Sequence, residues 1–441
     1  MCMTFSIYHF YEKLYNGYVM VTLSKDQLDA KNTILDWINS SRRSSYLTLG
    51  GYAGTGKSSL IAEVRKSLPV DWKVAFCAYT GKASGVMKNK LIDADAVNAN
   101  DYVGTIHSLC YHVRVDPDTG LNVFERKYHI DYNLIIVDEA SMVNQDLFQD
   151  LRLYRIPILF VGDHGQLPPI SSDDFNLMTD PVIKLEEVHR FGSNTALLDL
   201  SVMAREGSRI PFKQFDDKVA KVKENDPMVN DFILNRLGDF SDGICLCGTN
   251  NTRTDVNQLI RLNYGVINDI DDKLPRVGDR VVCLRNNRNL VDPIYNGMLG
   301  KISSISDIPN LGCKMLNDAW NMSVEVDDGF LYKGMVNKNH FGELKYTSDG
   351  KEFVTVRELM QMKSKLTIKE RKLMRGKFGS RKLYFDAFDF GYCLTVHKSQ
   401  GSEWGNVMLF EETSGYWDED YRRKWLYTAI TRSNNRLLIV A

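Results

Sequence analysis

Residues 46–68 read YLTLGGYAGTGKSSLIAEVRKSL, an apolar strand, a glycine-rich turn and a helix in immediate succession. The turn, Gly51-Tyr52-Ala53-Gly54-Thr55-Gly56-Lys57-Ser58, matches G-x-x-x-x-G-K-[ST], and a strand before it with a helix after it is the context in which that pattern grips phosphate. The spacing has a physical reason. Glycines let backbone N–H groups close around the phosphates, and the following helix N-terminus favours their negative charge. Lys57 is placed to reach the β- and γ-phosphates, with the Ser58 hydroxyl as a Mg²⁺ ligand. Gly51, Gly54, Thr55, Gly56 and Ser59 complete the expected phosphate cradle.

Working outward, LIIVDEAS ends a second strand in Asp138-Glu139. Downstream of a phosphate loop this pair divides its labour, Asp138 holding Mg²⁺ and Glu139 orienting or deprotonating an attacking water. Loop and acidic pair together imply nucleoside triphosphate hydrolysis, a chemistry of positioning and charge neutralisation. A third strand runs into GDHGQLPP and sets Gln166 beside the acidic strand, within reach of a γ-phosphate. Near the other end, LTVHKSQGSEW precedes the strand NVMLFEE, and WLYTAITRSNNRLLIV places Tyr427 and Arg432 on a helix before the last strand. This second block has no phosphate loop, but its arginine is able to cross a cleft, and an arginine acting on the γ-phosphate from outside contributes roughly 10³–10⁵ in rate.

Apolar strands are expected at 46–50, 73–79, 134–138, 157–163, 243–248, 406–411 and 436–441, each with helical sequence beside it. Such alternation implies parallel sheets built from βαβ units, with function at the C-terminal strand ends. Every motif above is expected at such an end or on the helix that follows. Two stretches break the pattern. VRVDPDTGLNVFERK has alternating arms around Asp116-Pro117-Asp118-Thr119-Gly120, a β-hairpin inserted at about 108–130. From 275 to 383 the text alternates through VGDRVVCL, KISSIS and MSVEVDDG, with a turn signal at Asn296-Gly297, as in a small β-barrel. Its later part, residues 358–382, is basic and helical in pattern.

Composition bounds the rest. The chain has 441 residues, 44% hydrophobic and 25% charged, which suits a multidomain globular protein. No run of 18 apolar residues suggests a membrane span, and residues 1–20 lack the pattern of a secretory signal. With 55 basic against 56 acidic residues, the global charge makes no case for nucleic acid, so the motifs must decide. Cys245 and Cys247 lie in one strand, where the two thiols are expected to diverge, and no second ligand pair for zinc is nearby. Buried reduced thiols are the expectation.

The ordered set LSKDQ, GYAGTGKS, YTGKAS, GTIHS, VDEAS, GDHGQLPP, LEEVHR, LTVHKSQGSE and YTAITR resembles superfamily 1 helicases of the RecD-like, 5′→3′ branch, over nearly the whole chain. That resemblance implies an α/β fold of two RecA-like P-loop domains with an inserted β-hairpin and an inserted SH3-like β-domain. The first domain would span 21–188 after an N-terminal extension at 1–20. The second would combine 189–274 with 384–441, around a β-domain and basic helical arm at 275–383. ATP and Mg²⁺ are the implied cofactors. Gln27 would read the adenine edge, Arg190 and Arg432 would meet the γ-phosphate, and Glu403 would touch the ribose. Thr80, Lys82, Thr105, His107, Asn250, Thr395, His397 and Lys398 would track a single strand through its backbone, without reading sequence. Phe124, in NVFERK, would be the aromatic wedge that parts the duplex. Implied partners are single-stranded DNA, duplex junctions and replication proteins such as a single-strand-binding protein, with the chain a cytoplasmic monomer. Backbone contacts do not exclude RNA, whose 2′-OH they could accommodate. An RNA helicase or translocase, or a non-catalytic replication accessory, are the rival readings.

Overall fold

The computed structural model describes residues 23–115, 122–169, 175–188, 195–287, 294–308, 319–327, 329–342, 353–355, 382–413 and 417–441. The extension at 1–20, the hairpin turn at 116–120, Arg190 and almost all of the basic arm lie outside them.

The first domain is built on strands β1 (Tyr46–Gly51), β2 (Val74–Ala78), β3 (Tyr102–Thr105), the hairpin strands β4 (Tyr111–Val115) and β5 (Asn122–Arg126), then β6 (Leu134–Asp138), β7 (Ile158–Gly162) and β8 (Ile183–Leu185). Its main sheet is wholly parallel in the order β3-β2-β6-β7-β1-β8. VAFCA and ILFVG are buried at every position, as strands covered by helices on both faces must be. The order matters for the site. β7 lies between β1 and β6, so the loop carrying Gln166 emerges between the phosphate loop and the acidic pair. β4 and β5 form the expected antiparallel hairpin, with Val113 opposite Phe124 in register; the Phe124 side chain is not among those described.

The second domain holds β9 (Lys213–Gln214), β10 (Val219–Val222) and β11 (Gly243–Cys247). Next come the small-domain strands β12 (Arg280–Cys283), β13 (Leu299–Asp307), β14 (Ala319–Val326), β15 (Leu331–Asn337), β16 (Phe353–Thr355), β17 (Lys382–Tyr384) and β18 (Phe388–Phe390). The chain then returns through β19 (Cys393–Thr395), β20 (Trp404–Phe410) and β21 (Ser433–Val440). The second large sheet runs β19-β11-β20-β21-β10-β9, parallel except at β9. The small sheet is antiparallel in the order β15-β14-β13-β12-β18, and a bridge from Val336 to Asp386 draws its outer strand back toward β18, as barrel closure requires. Phe388–Phe390 thus belongs to the small sheet.

Short strands such as β3, β8, β10 and β19 escape the apolar-run reading because three or four residues carry no periodicity. Among the described residues, the small sheet shares its core with the second domain. Val281, Ile302 and Trp320 pack in one cluster with Phe232, Phe240 and Cys245 of the second domain. Buried ion pairs Arg253–Asp389 (2.6 Å) and Arg261–Asp279 (3.0 Å) cross the same joint.

The cysteine expectation needs one correction. Cys245 and Cys247 both face that shared cluster, while Ile244 and Leu246 face the opposite one. Residues two apart in a strand point the same way, so the thiols do not diverge. The six described cysteines are buried thiols. No helix among the described residues is long and apolar enough to cross a membrane.

Candidate active site

A cleft of about 830 Å³ opens between the two domains, and Lys57, Asp138, Glu139, Gln166, Glu403 and Arg432 are among its walls. The first domain reaches it with loops at the C-terminal ends of β1, β6 and β7. The second domain does the reverse. Ser402 and Glu403 precede β20, and Arg432 precedes β21, so these groups enter from the N-terminal edge of their sheet. The expectation that every motif sits at a C-terminal strand end is corrected here: Glu403 and Arg432 stand in the loops that lead into their strands, and an apolar run does not say which of its ends faces a cleft. Arg432 also lies just past its helix, which ends at Ile430.

The phosphate loop owes its shape to glycine. Gly54 and Gly56 take left-handed backbone, φ 84° and 76°, and a Cβ on Gly56 would sit 2.2 Å from the Gln27 side-chain nitrogen. Gln27 serves a capping box with Ser24: its Oε1 accepts from the Ser24 N–H at 3.0 Å, and its Nε2 donates to the Thr55 carbonyl at 2.9 Å. It therefore ties the first helix to the phosphate loop, with one N–H and one lone pair left for a base. The Lys57 Nζ donates to the carbonyls of Gly51 (2.6 Å) and Tyr52 (2.9 Å), and the Thr55 hydroxyl donates to Tyr52 O. Ser58 and Ser59 open the helix on the cleft wall.

Opposite stands the acidic pair. Glu139 is a non-glycine residue at φ 53°, a conformation that costs about 1–3 kcal/mol and marks sites where a side chain must be aimed. Burial and the neighbouring Asp138 push its carboxyl above the usual value of 4.5, against the pull of Arg432 and Lys57. A base must be ionised to act. Turnover is therefore expected to fall on the acid side with an apparent pKa above 4.5, tracked as kcat against pH in folded protein. A rate that stays flat down to pH 4.5 would remove Glu139 from proton transfer.

Arg432 is buried, and its guanidinium donates to Thr428 O (3.0 Å), Ser402 O (3.0 Å) and Thr431 Oγ1 (3.2 Å). The Gln166 Nε2 donates to Asp163 Oδ2 at 3.3 Å, while its buried Oε1 has no partner among the described residues.

The remaining predicted residues divide into groups. Thr80 and Lys82 lie where the domains meet: the Lys82 Nζ is 4.7 Å from the Trp404 ring centre, and a Cβ on Gly401 would touch Thr80 and Ala83. Thr80 and Thr105 cap helices, accepting from the N–H groups of Ala83 and Ser108 at 3.1 Å. His107 sits between the rings of Tyr79 and Tyr111. On the second domain, Asn250 is exposed at the C-terminal edge, and Thr395 is buried at the end of β19. His397 lies 3.3 Å from the Tyr421 hydroxyl. Burial and nearby Arg253 hold the Lys398 pKa down at about 8. Tyr52, Asp163 and Thr428 also line up between the domains; they stand inside quoted motifs, yet nothing in the sequence singled them out.

A family model described as an AAA domain matches residues 22–226, and one described as a UvrD-like helicase C-terminal domain matches residues 390–440. The chain is 26% identical over 420 residues to the ATP-dependent RecD2 DNA helicase of Deinococcus radiodurans, covering 88% of this chain and 46% of that protein. It is 22% identical over 452 residues to the RecBCD enzyme subunit RecD of Buchnera aphidicola, covering 88% and 68%. An uncharacterized protein of Acanthamoeba polyphaga mimivirus is 33% identical over 168 residues, 34% of this chain and 33% of that one. The chain thus spans about a third of the mimivirus protein and just under half of RecD2. Among solved structures, Pif1 helicase from Bacteroides in complex with ADP-AlF3 and ssDNA superimposes with a TM-score of 0.51 at 17% identity, over 95% of this chain and 92% of that one. At that identity the likeness is one of fold: two RecA-like domains.

Proposed function

We propose that this chain, with the sequence features and fold of RecD/Pif1-like superfamily 1 helicases, is an ATP-dependent DNA helicase that moves 5′→3′ along single-stranded DNA. The observation that supports this best is the shared cleft, in which Arg432 of one domain stands with Lys57, Asp138, Glu139 and Gln166 of the other. A site divided in this way can hydrolyse nucleotide only when the domains close, which couples chemistry to motion.

Lys57 and the loop amides would hold the phosphates, Glu139 would orient the water, and Gln166 with Arg190 and Arg432 would sense the γ-phosphate. Ser58 and Asp138 offer hard oxygen donors on the same cleft and fit Mg²⁺, which would neutralise phosphate charge. Gln27 would meet the adenine and Glu403 the ribose. The strand would run over the domain edges carrying Thr80, Lys82, Thr105, His107, Asn250, Thr395, His397 and Lys398. The hairpin β4–β5 would part the duplex, with Phe124 as its wedge. Within its branch we read the motif set as resembling that of the phage Dda helicase, and the chain as a monomeric replication helicase of that kind. It would act in the cytoplasm, the host's for a viral chain, beside single-strand-binding protein.

Hydrolysis is expected to rise at least about tenfold on addition of single-stranded DNA, because strand binding favours the closed cleft. Steady-state ATPase with matched DNA and RNA oligonucleotides measures this. Stimulation by RNA alone would favour an RNA translocase, and background turnover with either would favour a non-catalytic accessory.

A further inference from the structure

Tyr427 is 1% exposed and belongs to the second domain, yet both hydrogen bonds of its hydroxyl go to the first. It donates to Asp163 Oδ2 at 2.8 Å and accepts from the Ala53 N–H of the phosphate loop at 2.9 Å. Its ring packs against the loop that carries Gln166, since a Cβ on Gly165 would come within 2.8 Å of it. Asp163 is itself buried. Its Oδ1 accepts from the Gly165 N–H (2.9 Å), and its Oδ2 accepts from Gln166 Nε2 (3.3 Å) as well as from Tyr427. The second domain grips the same loop twice more: Thr428 Oγ1 accepts from the Leu167 N–H (2.9 Å), and Gln400 Nε2 donates to Leu167 O (3.1 Å). Thr428 O also accepts from Arg432. One helix end therefore holds the Gln166 loop, touches the phosphate loop and carries the cleft arginine.

We infer that Tyr427 is a positioning residue, whose hydroxyl sets Gln166 through Asp163, and the phosphate loop through Ala53, when the domains close. This rests on the ATPase reading of the cleft and adds the linkage that makes hydrolysis depend on closure. The chemistry suits the task. Burial and Asp163 hold the phenol pKa well above its usual value, so the hydroxyl keeps the proton it donates. A carboxylate oxygen accepting two such donors fixes the Gln166 amide on the cleft wall, where its buried Oε1 has no partner among the described residues. Arg205 strengthens the link from the second domain by lying 3.8 Å over the Tyr52 ring of the phosphate loop.

The test is a double-mutant cycle in the full chain, with ATP and a single-stranded oligothymidylate. Tyr427→Phe keeps the ring and removes only the hydroxyl. It is expected to lower DNA-stimulated kcat at least about tenfold, while KM for ATP and oligonucleotide affinity stay within about threefold. In a Gln166→Ala background the same change is expected to cost clearly less than in wild type, because the route through Gln166 is already cut and only the one through Ala53 remains. Losses that multiply, or a Tyr427→Phe kcat within threefold of wild type, would overturn the proposal. If Tyr427→Phe lowers thermal stability substantially, Asp163→Asn carries the test. It leaves one acceptor oxygen where the carboxylate had two, so an amide N–H must meet either the Gly165 N–H or the Tyr427 and Gln166 donors. It is expected to reproduce the kcat loss, and a wild-type kcat there would overturn the proposal equally. Wild-type turnover, measured first, keeps failure of this linkage distinct from failure of the ATPase reading.

Discussion

Lys57→Ala is expected to abolish ATP hydrolysis, at least about a thousandfold in kcat, while single-strand binding stays within a few-fold of wild type. The Lys57 ammonium lies against the carbonyls of Gly51 and Tyr52 at the mouth of the loop, where phosphates bound to that loop would compete for it. Charge-assisted contacts to a transferring phosphoryl group in a water-poor site contribute more to such catalysis than most other interactions. The fold should hardly notice. The two carbonyls released border an open cleft and can bond water, so the change in stability is expected at about 1 kcal/mol or less. The candidate strand contacts lie on other loops and keep their caps and partners. Substantial turnover in a folded Lys57→Ala protein, or binding lost together with turnover, would contradict the assignment of this loop.

Arg432 tests the other half of the cleft. Replacing it by Ala is expected to lower DNA-stimulated kcat by roughly 10³-fold or more, the range for an arginine that meets the developing charge. Because the guanidinium is buried and donates to two carbonyls and a hydroxyl, the alanine variant is also expected to lose stability. Arg432→Lys separates the effects, since it retains the charge but not the planar fork. It is expected to recover most of the folding stability and little of the turnover. Recovery of both would mean that Arg432 acts through charge and packing alone. Single-turnover hydrolysis beside thermal melting decides between them.

Much of this architecture was legible in the sequence for a definite reason. Parallel strands covered on both faces must be apolar throughout, and each cleft loop of the first domain begins where such a run stops. LIIVD, ILFVG and YLTLG therefore announced Asp138, Gln166 and the phosphate loop almost to the residue. The hairpin strands were readable from their alternation on either side of Asp-Pro-Asp-Thr-Gly, a turn-forming sequence. What could not be read was relational. That β7 neighbours the acidic strand was expected, but that it also pairs with β1, and so separates β1 from β6, is encoded by no local pattern. Which edge the second domain presents depends on how it docks on the first, so Arg432 and Glu403 enter from the side opposite to the one expected. Thr80 and Thr105 have polar side chains that a helix N-terminus needs in any case, so their residue types alone could not separate capping from strand contact. Tyr427 stood in a quoted motif, but its two bonds span more than 260 residues of chain and appear only once the domains are docked.

The most direct test of the central claim is unwinding of forked DNA duplexes in which one single-stranded tail at a time is blocked, with ATP and with a non-hydrolysable analogue. An ATP-driven helicase of this build is expected to separate forks with an open 5′ tail, to fail when that tail is blocked, and to do nothing with the analogue. Unwinding that needs only an open 3′ tail would contradict the direction. Strand separation at equal rates with the analogue, or none with ATP despite DNA-stimulated hydrolysis, would contradict the claim that this cleft drives a DNA helicase.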